Sequence, residues 1–511
     1  MGILAVYDTA GIQNYIFASN KLAENVGGSK LVADVFGTIL PAVMRDVTKQ
    51  PVANWRECGE LNPKLEAEII YQGGGNAFLA FSSKTIFQTI TKEFLIRVSK
   101  IAPGVGIAVA AIETDFSDNY ECDFDKLGKR LAVVKGGFNL PTFAGNQPIT
   151  KQSGRTGLPV SEFRNEEYLS ASQVKKLERY NEYKKMRGSE ISDFSDLAFD
   201  KGTDSLIAIV HADGNNMGSR IKAEIAKFET YAKAVPKIRE LSRRIDNCYK
   251  KARERTVEAF SQEYKKYIAD QRDKNPHNKN LLQKSKDEPP ILELIGDGDD
   301  ITLVIGGRFA LDFAARLLRE IEATPEKERP FEDSVPRACA GVVLFGNHYP
   351  FSEAYKLAEE LCTSAKWPSR KQEGSYIDFH LHQSGNVSGL HRLRERQYEV
   401  DGKTLICRPW VVSDVVSKEA PSFKWFEENV QAFKGTDKMP RNKTKALRNA
   451  IGAGEMAADI AIQNMRDKQL PIPFSYKMPP TTSKHAHYFD ILEFCDAYEN
   501  LLNKEDEDNA K

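Results

Sequence analysis

Five residues at 296–300, Gly-Asp-Gly-Asp-Asp, place three carboxylates in a turn between two apolar stretches. Another, Asp213, follows the continuously apolar run Leu-Ile-Ala-Ile-Val at 206–210 by way of His211 and Ala212, with Gly-Asn-Asn-Met-Gly after it. An unbroken apolar run reads as a central strand, so Asp213 falls where a core strand ends and the chain turns. If that strand lies beside the hairpin, Asp213 and Asp299 share a face. Hard oxygen ligands a few ångströms apart, with open positions beside them, suit Mg²⁺ or Mn²⁺ holding a triphosphate. The matching chemistry is attack of a ribose hydroxyl on an α-phosphate: one ion acidifies the nucleophile and a second stabilises the leaving pyrophosphate. Asp213 and Asp299 are therefore the expected metal ligands. Asp300 comes directly after Asp299, and strand alternation turns it to the other face unless the hairpin is bulged. Gly296 and Gly298 let the backbone approach phosphates with no Cβ in the way. Taken alone, the pentapeptide also reads as an ordinary acidic turn.

Two stretches repeat one order of elements. The first has a strand over 3–7, helix-like sequence reaching Met44, a hairpin over 68–81, a helix over 85–100 and a strand over 104–113. In the second, a strand at 206–210 is followed by helical sequence from Ser219, a hairpin over 291–305, a helix over 309–323 and a strand over 337–345. Both read β-α-β-β-α-β, the ferredoxin-like arrangement. The hairpins align without a gap, Gly73, Gly74, Gly75 and Asn76 falling on Asp297, Gly298, Asp299 and Asp300. The first hairpin cannot hold metals as the second does, but its backbone N–H groups can cradle a nucleotide. The fold class expected is α+β: two palm-like domains at 1–118 and 204–370, an insert at 119–203, and a mainly helical C-terminal domain at 371–511. The charged excursion over 220–290 reads as long solvent-facing helices.

Lysine plus arginine and aspartate plus glutamate both number 72 in 511 residues, so no global field draws the chain to nucleic acid or membrane. The seven cysteines include no C-x-x-C pair, which speaks for a reducing cytoplasm and against structural zinc. The longest apolar runs, such as 105–112, are too short to span a bilayer, and no membrane partner is expected. His380, His382 and His391 lack a recognisable ligand spacing, and alternation over 377–381 reads as a half-exposed strand. The basic run at 441–448 has no interleaved aromatics and reads as a solvated helix start.

Asp213-Gly-Asn-Asn-Met-Gly, the 296–300 motif, the strand Arg-Ala-Cys-Ala-Gly-Val-Val-Leu from 337 and the helix over 354–366 resemble the second palm of the large polymerase-like subunit of type III CRISPR complexes. That domain is related to GGDEF and class III nucleotide cyclases. Gly-Ile-Gln-Asn-Tyr-Ile-Phe at 11–17 and Gly-Gly-Ser-Lys-Leu at 27–31 are similar to the same subunit's first palm. The resemblance implies cyclisation or oligomerisation of a nucleoside triphosphate, ATP favoured, into a second messenger in antiviral defence, with an RNA or protein activator and a downstream cyclic-nucleotide effector. It further implies that Asp213, Asp299 and Asp300 hold two ions, that Lys366 reaches a terminal phosphate, and that Gly214, Gly28 and Ser29 line nucleotide sites. A plain reading of Lys366 is a cation favoured by the C-terminal end of its helix. The family pattern is Gly-Gly-Asp-Asp, and here Asp297 stands for the first glycine. That departure keeps an alternative open: a non-catalytic nucleotide- or RNA-binding scaffold or sensor. The family's nuclease histidine-aspartate doublet is missing, so a stand-alone relative without target-DNA cleavage is expected.

Overall fold

The computed structural model describes residues 1–137, 150–199, 205–278, 281, 286–382, 389–413, 422–433, 439–470, 472 and 478–501, apart from the side chains of Asp297, Gln431 and Ala432. Strand β1 (Gly2–Ala10) leads through α1 (Ile12–Ile16) to α2 (Leu22–Asp34) and α3 (Leu40–Thr48). Then come β2 (Ala67–Gly73), β3 (Asn76–Phe81), α4 (Lys84–Ile101) and β4 (Gly106–Thr114). The strands form an antiparallel sheet in the order β2-β3-β1-β4, the ferredoxin-like topology. Alternate β1 residues serve two cores: Ile3, Ala5 and Tyr7 meet Phe36, Ile90 and Phe94, while Leu4 and Val6 cluster with Phe78, Tyr120 and Val235 on the other face.

Next in the chain are α5 (Tyr120–Gly136), the hairpin of β5 (Val160–Arg164) and β6 (Glu167–Ser170), α6 (Ala171–Arg187) and α7 (Phe194–Leu197). Helix α6 lies on α2 closely enough that a Cβ on Gly27 would stand 1.8 Å from the Lys176 carbonyl oxygen. The insert is thus built into the first palm.

The second palm has β7 (Leu206–Gly214), α8 (Met217–Ile225), α9 (Tyr231–Lys274), β8 (Ile291–Asp297), β9 (Asp300–Gly306), α10 (Ala310–Glu322), β10 (Ala338–Gly346) and α11 (Phe351–Ser369). Its sheet gains two strands, β11 (Tyr376–Leu381) and a short strand Trp410–Val411, giving six in all. These two belong to the segment beyond 370. After α12 (Leu390–Tyr398), helices α13 (Phe423–Phe433), α14 (Arg441–Gly452), α15 (Glu455–Asp467) and α16 (Ala486–Phe494) close the chain. They lock onto the sheet through Asp490, which accepts from the Arg408 backbone at 3.1 Å and from Trp410 Nε1 at 2.9 Å.

Two expectations need correction. Helix α9 is 44 residues long and not solvent-facing throughout: Tyr231, Val235, Ile238, Leu241, Ile245, Tyr249, Ala252, Phe260 and Tyr264 form a buried stripe at helical spacing. Its high charge content sits on the opposite face. Strand β11 is buried at every position, including His380, and His382 just past its end is buried too, because α11 packs on the strand and Phe423, Phe426 and Phe494 of the C-terminal helices meet Phe379. One helical run, Leu22–Thr48, is long and apolar enough to cross a membrane, contrary to the short-run reading, but Val35, Phe36, Ile39, Leu40 and Val43 pack it into the first palm's core.

Candidate active site

Strand β7 is buried along nearly its whole length and pairs with β9 through Val210↔Leu303, His211↔Thr302 and Ala212↔Ile301. One further step of this register sets Asp213 across from Asp300; on its other side Asp213 pairs with Cys339 of β10. Asp297 pairs with Asp300, so Gly298 and Asp299 alone make the turn. Of the two, only Gly298 has positive φ, at 63°, as a two-residue hairpin turn of the primed kind requires. Asp299 therefore keeps an ordinary backbone and projects its side chain.

That side chain passes over Gly214. A Cβ there would lie 2.8 Å from Asp299 Oδ2 and 2.7 Å from Tyr249 Oη, so only glycine admits the carboxylate. From α11, Lys366 Nζ donates to Asp213 Oδ2 and, at 3.1 Å, to the Gly214 carbonyl. Burial, the largest single influence, acts to lower the Lys366 pKa, but the charge and hydrogen bond of Asp213, with Cys362 and Cys339 adding, together hold the ammonium above its ordinary value. Asp299 is pushed up to about 7, first by burial and then by the Asp213 charge, with Asp300 adding and Lys366 opposing. Asp213, Gly214, Asp299 and Lys366, with Ser369 and Arg370, line a pocket of ≈ 320 Å³. A larger cavity, ≈ 1150 Å³, opens beside Trp367, Leu390 and Arg394 on α11 and α12, and none of Asp213, Asp299 or Asp300 lines it.

Asp300 does not line the small pocket. Its Oδ1 is 3.5 Å from His211 Nδ1, which is 3.0 Å from Thr302 Oγ1. Burial lowers the His211 pKa, so this ring is neutral at pH 7 and the contact is not an ion pair. Gly298 is open at the tip, with nothing within 4 Å of a Cβ position. At Gly296 the space of a Cβ is taken by Arg253 of α9, which pairs with Glu293 at 3.3 Å. The Asp297 side chain lies outside the described residues. Among the described residues no group of three or more His, Cys, Asp or Glu side chains is arranged to hold a metal ion.

In the first palm, Gly73 leads into a turn whose Gly74 and Gly75 both have positive φ, 60° and 77°. A Cβ on Gly75 would stand 2.5 Å from Ile12 Cδ1. Asp8 pairs with Asn76 in register, which makes it the counterpart of Asp213, and Lys135 of α5 reaches it at 2.7 Å. Gly28 lies against the Lys176 side chain and Ile16, while the buried Ser29 donates to the Leu294 carbonyl of β8, joining the two palms. The sequence reading missed Asp8, Lys135, Tyr249 and Arg253. Asp8 could have been found, since it too ends an apolar strand three residues before a glycine.

Residues 206–373 match the family model of the Cas10/Cmr2 second palm domain. No curated protein matches the sequence. The fold resembles the Csm1–Csm4 cassette in complex with pppApA, with TM-score 0.53 and 11% identity over 97% of this chain and 69% of that chain. It also resembles the cassette in complex with cA4 (0.53, 12%, the same coverage) and the Csm1–Csm4 subcomplex of the type III-A CRISPR–Csm interference complex (0.52, 12%, the same coverage). At these identities the likeness is one of fold, and the specific match is the palm that carries Asp213 and Asp299. On these grounds residues 206–373 are this chain's match to the Cas10/Cmr2 second palm domain, and the chain as a whole is similar to Csm1 in fold.

Proposed function

We propose that the chain is a nucleotidyltransferase that joins ATP, or another nucleoside triphosphate, into a cyclic or short oligonucleotide messenger, acting in the cytoplasm in CRISPR-like defence. One observation carries the reading: Asp213 and Asp299 line one pocket with Lys366, where burial first and then the Asp213 charge push Asp299 up to about 7, a perturbed carboxylate pair in a cleft. Their oxygens and the Gly214 carbonyl are hard donors that fit Mg²⁺ or Mn²⁺, with substrate phosphates to complete the shell. When bound, such ions stabilise the negative charge that develops on the phosphoryl oxygens. Asp213 and Asp299 would hold the ions in place, and Lys366 would offer an ammonium to the triphosphate. The open Gly298 leaves the hairpin backbone accessible. Two ions remain part of the proposal, as do an RNA or protein activator and a downstream effector.

Solved structures of similar fold include Csm1–Csm4 cassettes in complex with AMPPNP, with one ATP and with cA3, which supports ATP as the first substrate to test. The assay incubates the protein with each triphosphate and Mg²⁺ or Mn²⁺ and measures pyrophosphate and new nucleotide products. Release by wild type that Asp213→Ala and Asp299→Ala abolish is the expected result. No release from wild type with any metal, triphosphate or RNA activator would sink the enzyme reading. The second reading, a nucleotide-binding scaffold, draws on the position of Asp300, which leaves two carboxylates at the pocket instead of three. It requires nucleotide binding with no turnover.

A further inference from the structure

Both palms put a lysine ammonium on the carboxylate near the end of the central strand. In the first, Lys135 Nζ lies 2.7 Å from Asp8 Oδ2. In the second, Lys366 Nζ bonds Asp213 Oδ2 and the Gly214 carbonyl oxygen together. A carboxylate oxygen and the next residue's carbonyl oxygen, side by side, are the kind of donor pair a divalent cation takes. Here an ammonium takes it.

The two lysines differ in what surrounds them. The Asp8 side chain is 12% exposed and that of Lys135 47%, and Gly75, the counterpart of Asp299, has no room for a side chain beside Ile12. The first palm therefore has one carboxylate with a cation on it and no second carboxylate across from the pair. In the second palm the Asp213 side chain is 38% exposed and Lys366 22%, and both face the ≈ 320 Å³ pocket with Asp299 across from them. Lys366 stands in the last turn of α11, and its flexible four-carbon stem lets the head move while the helix stays in place.

We propose that Lys366 is a displaceable stand-in for a divalent cation: without nucleotide its ammonium fills the cation position on Asp213 and Gly214, and an incoming triphosphate draws it off and frees that position. The pocket takes its metal together with the nucleotide and not ahead of it. No bond is made or broken in the exchange; a single positive charge leaves the two oxygens and a double one replaces it, while the triphosphate supplies the balancing negative charge. The inference rests on the nucleotide-site reading of this pocket.

The test is Mn²⁺ binding followed by electron paramagnetic resonance, without nucleotide, on wild type, Lys366→Met, Lys366→Gln and the double variant Lys366→Met/Asp213→Ala, with circular dichroism melts to confirm folding. Both single variants should bind Mn²⁺ about tenfold more tightly than wild type, one decade being the scale of a half-buried ion pair. The double variant should lose that gain. Equal Mn²⁺ affinity in wild type and both single variants overturns the role of Lys366 and leaves the pocket reading standing. A gain that survives Asp213→Ala also overturns it, because the freed site would then lie elsewhere. If no variant binds Mn²⁺, even with a non-hydrolysable ATP analogue present, the pocket reading falls and this inference with it.

Discussion

Replacing Asp299 by asparagine should remove activity and add stability at once. Burial and the neighbouring Asp213 push its carboxyl up to about 7, against about 3.9 in an unfolded chain. Between roughly pH 4 and 7 the folded chain holds a proton there that the unfolded chain releases, so the free energy of unfolding falls as pH rises through that window. The loss is complete above pH 7. About three units at ~1.4 kcal/mol each set a ceiling near 4 kcal/mol. Because Asp213 shares the repulsion and its own proton uptake relieves part of it, about 2–4 kcal/mol is the expected range. Asparagine keeps the shape and cannot ionise. In urea melts with EDTA, Asp299→Asn should be more stable than wild type by that amount at pH 8 and nearly equal to it at pH 4. Adding Mn²⁺ with nucleotide should raise wild type alone, since ligands that favour the folded, ionised form stabilise it. Pyrophosphate release should fall at least ~100-fold. Parallel pH profiles for the two proteins, or a variant less stable than wild type at pH 8, would refute the account, since the carboxylate would then be well compensated.

Gly214→Ala puts a methyl group 2.7 Å from Tyr249 Oη and 2.8 Å from Asp299 Oδ2, so the carboxylate must shift. Turnover should fall roughly 10- to 100-fold by pyrophosphate assay, with a small change in melting temperature. Arg239→Met removes a buried guanidinium of α9 that donates to Ile70 O at 3.0 Å, Gly59 O at 2.7 Å and Glu68 Oε1 at 2.8 Å, tying the second palm's long helix to the first sheet. Urea melts should show a loss of about 3–5 kcal/mol. Burial pushes Lys176 down to about 8, with Glu24 opposing, so the unfolded chain binds more protons there between pH 8 and 10. Wild type should accordingly gain about 2 kcal/mol on Lys176→Met from pH 7 to 10, in chemical denaturation at each pH.

The elements were legible where one physical signal dominated. The continuous apolar run at 206–210 gave β7, and the glycine-centred hairpins gave β2–β3 and β8–β9. Asp213 and Asp299 could be paired from sequence because a strand end and a turn tip meet in that topology. Contacts made across long sequence separation were not legible. Nothing near Gly296 announces that Arg253 will fill its missing Cβ, or near Asp8 that Lys135 will neutralise it. The buried stripe of α9 had the right spacing but was masked by the charges between its members. The divergence of Asp300 from the pocket follows the alternation argument, yet its partner His211 depends on a register that only the paired strands fix.

What separates the two palms is the second residue of a two-residue turn. At 298–299 only the first position needs positive φ, so the second carries an aspartate at no backbone cost. At 74–75 both positions have positive φ, and the second is further blocked by Ile12 at 2.5 Å from any Cβ. Restoring the carboxylate by sequence alone should therefore fail. Gly75→Asp must take a left-handed backbone and push Ile12 aside, at a cost of about 1–3 kcal/mol. Asp8 would still be held by Lys135. The expected outcome is a lowered melting temperature and no additional Mn²⁺ signal by electron paramagnetic resonance. A new Mn²⁺ site in Gly75→Asp would show that the first palm lacks only a side chain, and that its turn and the Lys135 ammonium do not keep the metal out.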